Sequence, residues 1–329
     1  MTGKKKVRKG YESCSGCGVC LLSCPVWHRT QTMSFTRKAR AKAMQGGATH
    51  EEIAHSIDSC LLCGACEIAC PEGIGLADLN LSQRQELNRS RTAYPHWYPD
   101  ENPETNRNGK GPKAASLLLA GEMLGKDQEV CKAIMEHLGG NGKTALAHDD
   151  GQDIARVMEA GLSVPQERIE CFISLLRPAR TLIVAEGWLH HPLRKWLPGI
   201  KIIGLGESLL SSAYLRSRIG PEDLYVIESR GFHAGHRQLV LFYDRLRRET
   251  GCQTNLDLQR TAFATGASSL QGRNDLLAAG CIENAKHILK GRRVNRIVVE
   301  DLADVEAFRR ATDIPVVPLG LLGGKGKLL

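Results

Sequence analysis

Eight of the twelve cysteines lie in the first 70 residues, in two sets of identical spacing. The first reads Cys14-Ser-Gly-Cys17-Gly-Val-Cys20-Leu-Leu-Ser-Cys24-Pro25, and the second Cys60-Leu-Leu-Cys63-Gly-Ala-Cys66-Glu-Ile-Ala-Cys70-Pro71. Each is a C-x2-C-x2-C-x3-C-P run, the arrangement that grips a [4Fe–4S] cube. Residues three apart in a tight, partly helical loop can aim their thiolates at neighbouring corners. Gly16, Gly18 and Gly64 let the backbone come close, so that amides can reach the sulfides. The proline behind the fourth cysteine steers the chain away, and two such runs exchange their fourth ligands. The expected sets are Cys14, Cys17, Cys20 and Cys70 for one cluster, and Cys60, Cys63, Cys66 and Cys24 for the other.

Other uses of these thiols are weaker. Disulfides need an oxidising compartment, and no apolar stretch of an export signal follows the basic start Lys4, Lys5, Lys6, Arg8, Lys9. Structural zinc uses pairs of C-x2-C, not a triplet followed by x3-C-P. No apolar run approaches the ~20 residues that span a bilayer. A soluble cytoplasmic chain is expected, reaching the cytoplasmic membrane face only through partners. The net charge of +8 does not by itself indicate nucleic acid, and none is expected; the basic start reads as a solvated tail.

The 35 residues between Cys24 and Cys60 are far more than a compact bacterial ferredoxin uses. They read as helix. Arg37–Gln45 consists of good helix formers and stops at Gly46-Gly47. Thr49-x-x-Glu52 is a capping box, after which residues 51–58 lead to Cys60. A further helix is expected through Ser82–Arg91. This is the pattern of an α-helical ferredoxin domain. Residues 10–90 resemble the iron–sulfur part of the C subunit of heterodisulfide reductase. They are also similar to the iron–sulfur subunits of glycolate oxidase and anaerobic glycerol-3-phosphate dehydrogenase, and the module of succinate dehydrogenase has a related helical build. The resemblance implies electron transfer between a flavin or substrate site and a second acceptor.

Residues 94–112, with four prolines and few aliphatics, read as a linker. Tyr94, Trp97 and Tyr98 are expected to pin it by packing. Beyond it, 113–329 reads as an α/β domain with a mainly parallel sheet. Residues 113–124 and 129–138 read as helical. The expected strands are Thr181–Ala185, Lys201–Leu205, Leu224–Glu228, Arg296–Glu300 and Ile314–Val317, with helices over Gln238–Thr250 and Asp275–Leu289. Two degenerate repeats, Lys143–Leu205 and Leu224–Leu319, each carry an (R/K)-x-(I/V)-V type strand. They resemble the cysteine-rich Cys-Cys-Gly repeat that follows the ferredoxin module in those families, where it supplies thiolates to a catalytic centre.

The thiols of that repeat are missing here. His148-Asp149-Asp150-Gly151 and Ala264-Thr265-Gly266 stand where Cys-Cys-Gly would fall. Glu186–His190, Gly231–His236 and Glu300–Ala303 stand at the other cysteine positions. A third cluster is therefore not expected, and the domain reads as a former catalytic scaffold used for docking. Cys131, Cys171, Cys252 and Cys281 match no ligand template and read as small buried hydrophobes.

Weaker signals have plainer readings. Gly140-Asn-Gly142-Lys143-Thr144 lacks the first glycine of a phosphate loop, since position 137 is histidine. Gly204-x-Gly206 lacks the third glycine of a dinucleotide fingerprint and reads as a strand-to-helix turn. His190-His191 and His233-x-x-His236 read as hydrogen-bonded loop histidines rather than metal ligands, and Arg245–Arg248 as a solvated helix face. The expected layout is a 1–10 tail, an 11–93 dicluster ferredoxin domain, a 94–112 linker and the 113–329 α/β domain. The expected function is an electron-transfer subunit with two [4Fe–4S] clusters and no catalytic residues of its own. Its partners would be a flavoprotein or other redox subunits, a membrane-bound one among them. The alternative is a heterodisulfide- or thiol-type reductase subunit with a substrate site in the α/β domain.

Overall fold

Short helices surround the cysteine loops: α1 (Pro25–Thr30), α2 (Arg37–Gln45), α3 (Ala54–Asp58), α4 (Ala65–Ile68) and α5 (Leu76–Ser90). The computed structural model describes residues 10–99, 111–112, 114–139, 143–274 and 279–323. Pro25 opens α1 where its missing N–H would be unpaired anyway. Thr36 caps α2, its Oγ1 accepting from Ala39 N at 3.2 Å. The capping box closes in both directions, Thr49 N donating to Glu52 Oε2 at 2.8 Å and Glu52 N to Thr49 Oγ1 at 3.3 Å. The following helix starts only at Ala54, after a turn. Helix α5 begins at Leu76, ahead of the expected Ser82, and buries Leu76, Asn80, Gln83, Arg84 and Leu87 along one face.

The remaining two thirds holds two parallel sheets. β1 (Ser116–Leu119), β2 (Thr144–Leu146), β3 (Thr181–Val184) and β4 (Lys201–Gly204) pair in the order β2-β1-β3-β4. β5 (Asp223–Val226), β6 (Gln253–Thr254), β7 (Arg296–Val299) and β8 (Val316–Pro318) pair in the order β6-β5-β7-β8. The two orders are the same, so the halves are topological copies. One hydrophobic core runs between the sheets through Leu118, Ile183, Tyr225, Val298 and Val317.

β1 corrects the sequence reading, which made 113–124 a helix. Leu117, Leu118 and Leu119 are all buried, because β1 is a central strand covered on both faces. An apolar run of this length has no period that separates a buried strand from a buried helix. The helical part begins only at Gly121, which holds φ +67°. The first copy therefore starts at β1 and not at Lys143. β2 and β6, short edge strands, were not expected either.

The two regions are joined by side chains reaching backbone. Arg84 Nη1 donates to Glu159 O at 2.6 Å, and Asn88 Nδ2 to Ala160 O at 3.0 Å. Gly161, at φ +78°, lies so close to Arg84 that any Cβ would strike it. Trp97 and Tyr98 are buried against Ala160 and Leu270, as packing anchors should be, whereas Tyr94 is 53% exposed. The rest of the expected linker, 100–110, and the loop 140–142 lie outside the described residues, as do the tail 1–9 and the start of the helix expected from Asp275.

Candidate metal centres

The two cysteine loops are held by left-handed glycines: Gly16 at φ +81°, Gly18 at +80° and Gly64 at +83°. These values cost a side-chain-bearing residue free energy, so the glycines set the loop shape. Lys42 Nζ donates to Cys14 O at 3.0 Å, and Gln45 Nε2 to the same oxygen at 3.0 Å, tying the first loop to α2. In the second loop, the peptide N–H of Leu62 points at Cys60 Sγ, 3.5 Å away.

The thiols fall into two neighbourhoods. Burial pushes the Cys20 thiol up to about 11, with Cys24, Cys14, Cys17 and Cys70 adding to the rise. Burial raises Cys66 well above the ordinary thiol value, opposed by Arg37, and the charges that add to the rise come from Cys63, Cys60 and Cys24. Cys63, pushed up to about 12 chiefly by burial, feels Cys24 and Cys60. Thus Cys70 acts on the first run, while Cys24 acts on both, at Cys20 as well as at Cys63 and Cys66, so the groups adjoin. Among the described residues no three His, Cys, Asp or Glu side chains converge on a single metal ion. A cube needs no such convergence, since each thiolate takes its own iron.

The neighbourhoods differ in setting. Cys17 is exposed and Cys66 is buried, while Cys14, Cys20, Cys24, Cys60, Cys63 and Cys70 are half-buried. Cys24, Cys60, Cys63 and Cys66 line one cavity of about 380 Å³, together with Pro25, Phe35, Arg37, Arg40 and Gly64. Arg37 Nη2 donates to Cys60 Sγ at 3.4 Å. Arg40 is buried beside it and binds Ser56 O. Burial would raise the Cys60 thiol, but the Arg37, Arg40 and Arg84 guanidiniums outweigh it and pull Cys60 down to about 6. Arg37 Nε and Nη1 and Arg40 Nε remain buried without a hydrogen-bond partner. Such donors at a cavity walled by thiols fit an anionic group better than a neutral one.

The α/β region closes over the second loop. Arg230 Nη2 donates to Leu61 O at 2.9 Å while the guanidinium pairs with buried Glu159. His233 accepts from Ala262 N through Nε2 at 3.2 Å, so its Nδ1–H donates to Cys63 O, at 2.6 Å. Burial holds this imidazole down at about 4, hence neutral. Sequence reasoning missed Arg37, Arg40 and Arg230, whereas His233 is hydrogen-bonded as expected, in the helix Ser229–Ala234 rather than in a loop. The signal available was Arg37 and Arg40, three apart on one helix face, which is unusual on a face that also buries Ala41.

Glu186–His190 and Glu300–Ala303, two of the segments read above in place of the repeat's cysteines, follow the carboxyl ends of β3 and β7. A Cβ on Gly187 would strike the Glu228 carboxylate, and one on Gly206 would strike Glu300. A cavity of about 520 Å³ lies there, lined in part by Glu122, Glu186, Glu300 and Asp301. The carboxylates have structural work. Glu228 caps the helix Ser229–Ala234 through Arg230 N and Gly231 N, and Glu300 accepts from Tyr225 Oη at 2.6 Å and Glu228 N at 2.8 Å. Asp149 pairs with Arg168 at 2.8 Å, both buried, and Asp150 caps Gln152 N at 3.2 Å. His190 is buried against Val184 O, His191 faces Asp78, and His236 faces Arg260 O. Cys131, Cys252 and Cys281 pack in the hydrophobic cores, and Cys171 is half-buried. Gly204 ends β4 and precedes a helix, as a plain turn.

Residues 10–74 match the 4Fe-4S dicluster domain family Fer4_8. No curated protein and no solved structure matches the chain. The chain thus carries a 4Fe-4S ferredoxin-like domain near its N-terminus, followed by an α/β region of two parallel four-stranded sheets. No helix among the described residues is long and apolar enough to cross a membrane.

Proposed function

We propose that this chain is an iron–sulfur electron-transfer subunit of a larger oxidoreductase, of the kind represented by the heterodisulfide reductase C subunit. Cys14, Cys17, Cys20 and Cys70 hold an exposed [4Fe–4S] centre, and Cys24, Cys60, Cys63 and Cys66 hold a buried one. The observation that carries this is the cavity lined by Cys24 together with Cys60, Cys63 and Cys66, with Cys70 among the thiols that act on Cys20 of the first run. When bound, each cube supplies reversible one-electron storage.

The chain's own residues do the rest. The first loop leaves Cys17 open to an approaching partner. Arg37 and Arg40 neutralise anionic sulfur beside the second loop, and the α/β region holds that loop in place through Arg230 and His233. The crossed ligands place the centres side by side, so one electron can enter at the exposed loop and leave through the buried one, or the reverse. A flavoprotein or another redox subunit, a membrane-bound one included, takes the other end of that path. The α/β region acts as the docking scaffold.

Anaerobic purification tests the reading. The expected yield is about eight irons per chain, two cubes of four, both reducible by dithionite. The isolated chain should turn over no disulfide. Folded, iron-free protein would overturn the proposal. A third metal centre with substrate turnover would favour a reductase, and clusters that resist reversible reduction would make them structural staples.

A further inference from the structure

The charge of the ferredoxin region is divided between its two cysteine runs. The first 50 residues contain ten Lys and Arg against one carboxylate, Glu12. Residues 51–80 contain six carboxylates and no Lys or Arg. Helix α2 sorts its own cations: Arg37 and Arg40 turn inward and are buried, while Lys42 is exposed and Lys38 half-exposed on the side of the first loop. Lys42 gives its protons to the Cys14 carbonyl and to Gln45 Oε1 at 2.8 Å, not to a carboxylate. Lys38 lies over Gly18, its Nζ within van der Waals reach of where a Cβ would stand. Two like charges four apart disfavour a helix, so the pair has no rationale in the stability of α2.

Other features of the first loop agree. Cys17 is exposed, and Gly16 and Gly18 put no side chain over it. Leu22 and Met33, 45% and 42% exposed, supply isolated apolar contacts nearby in sequence. Lys4, Lys5, Lys6, Arg8 and Lys9 precede Gly10 in sequence and add five positive charges to this part of the chain.

We propose that the surface around Cys17, Lys38 and Lys42 is the docking site for an acidic one-electron carrier protein. The inference rests on the electron-transfer reading above and names the partner class at its exposed centre. Cations beside a redox-exposed edge steer an acidic protein to that edge and set the encounter rate. The exchange balances simply: the carrier loses one electron, the exposed centre gains one, and no bond or proton moves. A basic surface could also meet anionic lipid. Here Lys42 and Lys38 stand over Gly16 and Gly18, on either side of the exposed Cys17 in the chain, and the exposed apolar groups are two separate side chains rather than a membrane-seeking helix face.

The test uses the full chain with its iron intact and flavodoxin, a small acidic flavoprotein, as probe. Binding is measured by calorimetry at several ionic strengths. Affinity should fall as salt rises. Lys38→Glu should weaken it about tenfold at low ionic strength, with iron content, visible spectrum and dithionite reduction unchanged. Lys38→Gln should weaken it by a smaller factor, and this second variant brings in no new carboxylate. Unchanged affinity in both variants, or binding indifferent to salt, overturns the inference. So does capture by phosphatidylglycerol vesicles through the same lysines with no flavodoxin binding. Failure of dithionite to reduce the protein would instead strike the electron-transfer reading. Reduction without flavodoxin binding would strike only the docking site.

Discussion

Arg37 donates from Nη2 to the Sγ of Cys60 at 3.4 Å, and both residues line one cavity with Cys24, Cys63 and Cys66. Reduction adds negative charge to whatever those thiols hold. A fixed buried cation stabilises that charge and makes the buried centre easier to reduce. Arg37→Gln should therefore lower its midpoint potential by on the order of tens of millivolts. The exposed centre, fringed by solvated lysines, should stay where it is. A redox titration followed by EPR reads both signals. Equal shifts in both, or none, would show that Arg37 is not the tuning charge.

Crossed ligation can be tested one thiol at a time. Cys70 follows the second run in sequence but acts on Cys20 of the first; Cys24 follows the first run but shares a cavity with Cys60, Cys63 and Cys66. Cys70→Ala should disturb the signal of the exposed centre, and Cys24→Ala that of the buried one. Each variant should lose or convert one cluster, about four irons at most. Cys131→Ala and Cys252→Ala should leave iron unchanged. The reverse assignment of the Cys24 and Cys70 effects would mean that each run keeps its own fourth cysteine.

The ferredoxin region was legible because its signals are local. Cysteine spacing, Gly46 after Arg37–Gln45 and the Thr49–Glu52 box each act within a few residues. β1 was not legible, because Leu117–Leu119 carries no period and its identity depends on β2 and β3 lying on either side. The seating of the second loop was hidden for a related reason. Arg230 and His233 meet Leu61 and Cys63 across about 170 positions of sequence, and no local pattern marks such a pair. The substituted segments after β3, β5 and β7 could be located from the repeat, but not their packing against one another.

Arg230 and Glu159 form a buried ion pair that also holds both regions together. Glu159 Oε2 accepts from Arg230 at 2.9 Å, and Oε1 accepts from Leu270 N at 2.7 Å. Removing one partner leaves the other charge buried and uncompensated. Arg230→Met should cost about 3–5 kcal/mol in denaturant unfolding under anaerobic conditions. Arg230→Met combined with Glu159→Gln should cost less than the sum of the singles, since no charge is then stranded. Additive losses would show that the two side chains act independently.

Glu300 makes the stability of the α/β region depend on pH. Burial lifts this carboxyl from 4.5 to about 7, against hydrogen bonds from Tyr225, Tyr243 and the Glu228 amide that favour its ionised form. The folded chain therefore keeps a proton that the unfolded chain has released. The associated stability is fully present below pH 4.5 and is lost as pH rises through about 7. Burial lifts Glu228 and Asp304 to about 8, with Asp301 adding to both, and extends the decline. Glu300→Gln removes the titration while keeping an oxygen for the tyrosine hydroxyls. Its unfolding free energy should change with pH less than the parent's between about 4.5 and 7, by on the order of 3 kcal/mol. Parallel pH profiles for the two proteins would mean that Glu300 stays ionised in the fold, held by its two tyrosines.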